Sequence, residues 1–112
     1  MDLKTRKLGD WKVLTPGETR LDAYVAEGFK KALAEAISDG TKCLIMDLSG
    51  VEFMDSSGLG ALVYCRQRIA EGGQIVIAGA QQEVATIMRL TRLDKVFLLV
   101  DAPEDVLEKA TS

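Results

Sequence analysis

Residues 42–78 read KCLIMDLSGVEFMDSSGLGALVYCRQRIAEGGQIVIA, and the fold follows from this stretch. Lys42 to Leu48 contains the unbroken apolar run Cys43-Leu44-Ile45-Met46, the pattern of a strand buried on both faces. From about Ser57 to Ala70, Leu59, Leu62, Val63 and Ile69 recur at helical spacing, and Gly72-Gly73 stops the helix. Gln74 to Ala78 is a second continuous apolar strand. Buried strands separated by a single helix favour a parallel pair with a right-handed crossover.

Outward from this unit the same alternation continues. Leu3 to Leu8 and Trp11 to Thr15 flank Gly9-Asp10, a tight-turn dipeptide, and predict an antiparallel hairpin that Pro16-Gly17 closes. Ala26, Phe29, Leu33 and Ile37 share one face of a helix predicted over Ala23 to Ser38, with Asp22 as its N-cap and Gly40 past its end. A third helix is predicted over Gln82 to Thr91 and a last strand over Val96 to Val100. A short closing helix follows from Pro103 to Lys109, and Lys109 to Ser112 are expected to fray. The expectation is one α/β domain over 1–112 in the order β-β-α-β-α-β-α-β-α. Its mixed sheet has about five strands, the first antiparallel and the rest mainly parallel, with about four helices.

Composition narrows the chemistry. A hydrophobic fraction of 47% supplies a core, and with aromatics at 5% that core is mainly aliphatic. Net charge of −3, with Lys and Arg spread along the chain, argues against a nucleic-acid partner. No apolar stretch reaches the ~20 residues of a membrane span, and Met1 to Arg6 lacks the apolar segment of a signal peptide; a cytoplasmic location without membrane insertion is expected. Cys43 and Cys65 lie in apolar contexts without metal-ligand spacing and read as buried reduced thiols. Histidine is absent, which removes the commonest general base and a common metal ligand.

The segment Asp47 to Gly60 joins a buried strand to a helix, at the carboxyl end of a strand where open α/β sheets place working residues. Asp55, Ser56 and Ser57 are all N-cap residues, and Asp55 or Ser56 can bond the free amides of the first turn. By residue type alone D-S-S-G is an ordinary helix cap. Three cap-competent residues in a row nonetheless exceed what one cap needs, and Phe53 and Met54 beside them can offer an apolar contact surface. Gly58 and Gly60 leave the backbone open to close approach by another protein. A serine hydrolase would require G-x-S-x-G or S-x-x-K flanks that neither serine has. Asp47 and Asp55 lack a third metal ligand, and Asp47 reads as a turn or cap residue. No catalytic residue, metal or cofactor is expected.

The stretch F-M-D-S-S-G-L-G at 53–60 resembles the signature of the STAS domain, as found in bacterial anti-sigma-factor antagonists. Arg20-Leu21-Asp22-Ala23, Gly73 to Gly79 and Leu90 to Phe97 are similar to other segments of that family, so the resemblance spans essentially the whole chain. It implies a transcription-regulating phosphoprotein that switches partners. By matching position Ser57 is the implied phosphorylation site, with Ser56 the competing acceptor. Asp22 and Asp55 match acidic positions flanking it, and Ser56, Gly58 and Leu59 complete the implied phosphosite environment and partner-binding surface. The implied partners are an anti-sigma factor that is also a serine kinase, with a histidine-kinase-like ATPase fold, and a serine phosphatase of the PP2C type. The loop Pro16-Gly17-Glu18-Thr19-Arg20 is longer than in sporulation and stress-response members, which bears on which partner is bound.

The implied switch has a physical basis. Phosphoserine adds about −1.5 to −2 charges, so a patch with Asp22 and Asp55 is expected to reach about −3.5 to −4. Free amides at the helix start are expected to hold the group. Against a partner carboxylate ~8 Å away, each charge costs roughly 2 kcal/mol at an effective dielectric of ~20. A hundredfold loss of affinity requires only ~2.7 kcal/mol. The competing reading with the same fold is a STAS subunit of another assembly, such as a lipid transporter, or a regulator of a non-transcriptional pathway, with Ser57 never modified.

Overall fold

A computed structural model describes residues 1–107. In chain order the elements are β1 (Leu3–Leu8), β2 (Trp11–Pro16), β3 (Arg20–Leu21), α1 (Ala26–Ala36), β4 (Cys43–Asp47), β5 (Phe53–Met54), α2 (Ser56–Arg68), β6 (Gln74–Ala78), α3 (Gln82–Leu90) and β7 (Leu98–Val100), with a 3-10 turn at Leu93–Lys95. The main sheet has the order β1-β2-β4-β6-β7, with β1 antiparallel to β2 and the remaining pairs parallel. That is the mixed five-stranded sheet the sequence predicts. The hairpin turns at Gly9 (φ 61°), with Leu8 opposite Trp11.

The run Leu44-Ile45-Met46 is fully buried because successive side chains leave opposite faces of the sheet, and both faces are covered. Leu44 and Met46 join Phe29, Leu33, Leu62 and Cys65 in the main core beneath the helices. Ile45 joins Val13, Val76 and Ala78 on the reverse face, under Val106 and against Trp11.

Several boundaries move. Asp22 does not cap α1: its carboxylate accepts the Tyr24 amide at 3.1 Å and its carbonyl the Val25 amide at 3.1 Å, so residues 22–25 form a turn and the helix starts at Ala26. Helix α2 ends at Arg68, since Ile69 turns extended (ψ 153°). The last strand starts at Leu98 rather than Val96 because the amides of Val96 and Phe97 are drawn back to the Leu93 carbonyl, at 3.0 and 2.9 Å. Residues 105–107 are helical. The rest of the closing helix expected to Lys109, and the fraying expected over 109–112, lie outside the described residues. Cys65 is buried, and Cys43 is only half-buried.

The two-residue strands β3 and β5 had no counterpart in the sequence reading. They form a second, parallel sheet in which Arg20 pairs with Phe53 and Leu21 with Met54. This small sheet carries the loop before α1 to the mouth of α2.

Candidate partner-binding and phosphorylation site

The loop from β4 to α2 is built by successive short hydrogen bonds. Asp47 Oδ1 accepts the Ser49 amide at 3.0 Å, the turn role expected of it. The Leu48 carbonyl accepts the Val51 amide at 3.0 Å. The Thr19 carbonyl then accepts the amides of Glu52 (2.7 Å) and Phe53 (3.3 Å), so the 16–20 loop is docked directly on the motif. At the other end of that loop, the Gly17 amide donates to the Asp2 carbonyl at 2.9 Å.

Asp55, in extended conformation, is the cap of α2. One oxygen, Oδ1, accepts the amides of both Ser57 (2.9 Å) and Gly58 (3.2 Å). A Ser, Thr, Asp or Asn cap contributes about 1 kcal/mol. This changes one expectation. The amides foreseen as a cradle for a phosphate are largely occupied by Asp55, and of the first three helical residues only Ser56 has an amide outside the cap.

Ser57 is half-buried and Ser56 exposed. No hydrogen bond to either hydroxyl is formed among the described residues. Asp22 is brought beside them. The Leu21 carbonyl accepts the Asp55 amide at 3.4 Å, and a Cβ placed on Gly58 would lie 2.2 Å from that same carbonyl oxygen. The backbone at 57–58 therefore rests against the backbone at 21–22, and only glycine permits the approach at 58.

Gly58 and Leu59, which the resemblance places in the phosphosite environment and partner-binding surface, are both buried, with Leu59 in the main core as its helical spacing predicts. They hold the helix mouth against β3 and the sheet. Met54, expected beside Phe53 as an apolar contact, is buried as well. Gly60 is exposed and a Cβ there would meet nothing within 4 Å, so the open backbone expected at both glycines exists at Gly60 alone.

Two side chains join the site that sequence reasoning did not place there. The Arg20 guanidinium stacks over the Phe53 ring at 4.1 Å and pairs through Nε with Asp22 Oδ2 at 3.5 Å. Tyr24, whose amide is tied to Asp22, is 97% exposed. Arg20 alters the electrostatics: Asp22, Asp55 and Arg20 together carry −1, so one phosphate brings the patch to about −2.5 to −3 rather than −3.5 to −4. Arg20 directly follows Thr19, whose carbonyl docks the loop on the motif, but nothing in the local sequence tied it to Phe53.

An α/β module with a capped serine pair at the mouth of a helix, walled by a second tiny sheet, defines the class of this protein. Residues 3–108 match the STAS domain family, and the chain belongs to it. It is 29% identical over 87 residues to the anti-sigma-F factor antagonist RsfB of Mycobacterium tuberculosis, an alignment that covers 78% of this chain and 71% of that one. The crystal structure of TM1081 from Thermotoga maritima superposes with a TM-score of 0.87 at 25% identity, covering 98% of this chain and 95% of that one. The fold also recurs in phosphorylated SpoIIAA of Bacillus (TM-score 0.71, 17% identity, 97% of this chain and 99% of that one). It recurs again within the murine anion transporter Slc26a9 (TM-score 0.77, 22% identity), where the likeness covers 95% of this chain and 18% of that one.

Proposed function

We propose that this protein is an anti-sigma-factor antagonist, a binding module rather than an enzyme, switched by phosphorylation of Ser57. The observation that carries the reading is the serine pair held at the mouth of α2. Asp55 accepts the amides of Ser57 and Gly58 and so fixes the backbone there, while the Ser57 hydroxyl is without a partner among the described residues. The relatives named as anti-sigma factor antagonists support the class of partner. The same fold inside a transporter is a reminder that architecture alone does not choose the partner, so the site has to.

In the unmodified form the face around Asp22, Tyr24, Ser56 and Ser57 binds an anti-sigma factor that is also a serine kinase of histidine-kinase-like ATPase fold. In the transfer step Ser57 Oγ attacks the γ-phosphorus of the kinase's ATP. The Oγ–P bond forms, the bond from phosphorus to the β-phosphate oxygen breaks, ADP leaves, and the hydroxyl proton passes to a base on the kinase. The product sets a phosphoserine against acidic side chains of the partner. At ~8 Å and an effective dielectric of ~20, each added charge costs about 2 kcal/mol before salt screening. Local repulsion alone therefore accounts for release. A PP2C-type serine phosphatase would hydrolyse the phosphoserine and restore the binding form. Both partners act in the cytoplasm, which is where this reading places the protein; among the described residues no helix is long and apolar enough to cross a membrane.

The test is to capture the partner from the native cell with the unmodified protein and incubate the pair with ATP. Phosphopeptide mapping should then place the label on Ser57. A partner that adds no phosphate, or label confined to Ser56, refutes the assignment.

A further inference from the structure

Residues 19–24 and 52–62 form the walls of the site, and they contain a single cation, Arg20. Its guanidinium makes one long contact to Asp22 through Nε, at 3.5 Å, and its side chain is 59% exposed. The Phe53 ring supports the planar group from below at 4.1 Å. A cation held by stacking on one face and by a single weak bond at one edge keeps its other donors free for a second anion.

A phosphate on Ser57 is short of partners. Asp55 already occupies the Ser57 and Gly58 amides. Asp22 and Asp55 present negative charge on either side, because the parallel bridge that pairs Leu21 with Met54 carries Asp22 on beside Asp55. Glu52, exposed at the start of β5, adds a further carboxylate to the same loop. On α3, which packs against β5, Glu83 is exposed and Arg89 is engaged with Thr86 Oγ1 at 3.2 Å. The contact of Gly58 with the Leu21 carbonyl brings the first turn of α2, and Ser57 with it, up to the 21–22 backbone, where Arg20 holds Asp22.

Resting on the reading that Ser57 is the phosphorylated residue, we propose that Arg20 is the internal clamp of the phosphoserine. On modification its guanidinium leaves Asp22 for the phosphate, as a charge-assisted and forked pair, while remaining stacked over Phe53. Two consequences follow for regulation. The released Asp22 keeps the Tyr24 amide on Oδ1 but loses its counter-charge, so the repulsive change is spread over two positions. The clamped phosphate is also shielded, so the phosphatase must displace Arg20 before hydrolysis.

The experiment uses the full chain with phosphoserine incorporated at position 57 during synthesis, so it does not depend on any kinase. The second ionisation of the phosphate is followed by phosphorus NMR, and the Arg20 Nε–H resonance is followed in parallel with and without the phosphate. The clamp predicts that the phosphate ionises roughly 0.5 pH unit or more lower in the wild-type background than with Arg20→Gln. It also predicts that the Arg20 Nε–H resonance shifts on phosphorylation, and that Arg89→Gln leaves the titration where it is. Equal ionisation with and without Arg20, an unmoved Arg20 resonance, or a shift that follows Arg89 instead would each overturn it. The resonance is read in the wild-type chain, so a folding defect in a variant cannot decide the matter. A failure of the kinase to label Ser57 would remove the switch while leaving this measurement unchanged, which separates the two claims.

Discussion

Adding one methyl group to Gly58 and to Gly60, two residues apart in the same helix, should move stability in opposite directions. At position 58 the new Cβ would lie 2.2 Å from the Leu21 carbonyl oxygen, 3.1 Å from its carbon and 2.9 Å from Met54 Cγ. The nearest obstacle is backbone, so β3 has to retreat by roughly 1 Å, and overpacking of this kind costs about 1–3 kcal/mol. The helix-propensity gain of Gly→Ala, about 1 kcal/mol, offsets part of that. At position 60 a Cβ meets nothing within 4 Å, so only the gain remains, about 0.5–1 kcal/mol. Urea unfolding measures both. The net cost at position 58 is then about 1 kcal/mol, so with a slope of about 1–3 kcal/mol per molar the midpoint should fall by roughly half a molar for Gly58→Ala and rise by a few tenths of a molar for Gly60→Ala. Midpoints that move together, or a Gly58→Ala protein as stable as wild type, would refute the close packing of β3 on the helix mouth. Binding adds a second reading of Gly60→Ala: a more stable protein with weakened partner affinity marks the exposed backbone as the place where the partner approaches.

Other expectations are simpler to check. The Asp39 carboxyl is held below its ordinary value of 3.8, at about 2, first by the hydrogen bond from Lys12 Nζ (2.8 Å) and then by that from Thr41. A depressed carboxylate stabilises the fold above its unfolded value and loses that contribution as pH falls through the folded one. The urea midpoint of wild type should therefore exceed that of Asp39→Asn at pH 6, and the difference should shrink between about pH 4 and 2; a constant difference across that window would contradict the pairing. Burial pushes the Cys65 thiol up to about 11, whereas Cys43 is half-buried at the start of β4. A thiol reagent at pH 8 should thus label Cys43 first and Cys65 only on unfolding. Rapid double labelling of the native protein would show the interior to be open.

The five strands of the main sheet were legible because burial on both faces, or hairpin alternation, writes itself into runs such as Leu44-Ile45-Met46 and Ile75-Val76-Ile77. Helix faces were legible for the same reason. The start of α1 was not, since an Asp before an apolar run has the same residue type whether it caps a helix or, as Asp22 does, closes a turn ahead of one. The sheet of β3 and β5 was invisible for a different cause. Two residues cannot display a period, and their pairing joins positions more than thirty residues apart. That sheet brings Arg20 over Phe53, so the one cation of the site was hidden with it. The serine pair and Asp55 were found because cap chemistry is local. Gly58 reads as open because glycine next to serine suggests openness, whereas here it marks close packing against Leu21, and Leu59 is buried as its helical spacing predicts.

The central claim is that charge placed on one hydroxyl at the entrance of α2 controls association. Titration calorimetry of the captured kinase partner against unmodified protein, protein phosphorylated at Ser57, Ser57→Ala and Ser57→Asp tests it most directly. The account predicts tight binding by the unmodified and Ser57→Ala forms, a partial loss for Ser57→Asp with its single charge, and a loss of about a hundredfold, or ~2.7 kcal/mol, for the phosphorylated form. Equal affinity of the phosphorylated and unmodified proteins would contradict it.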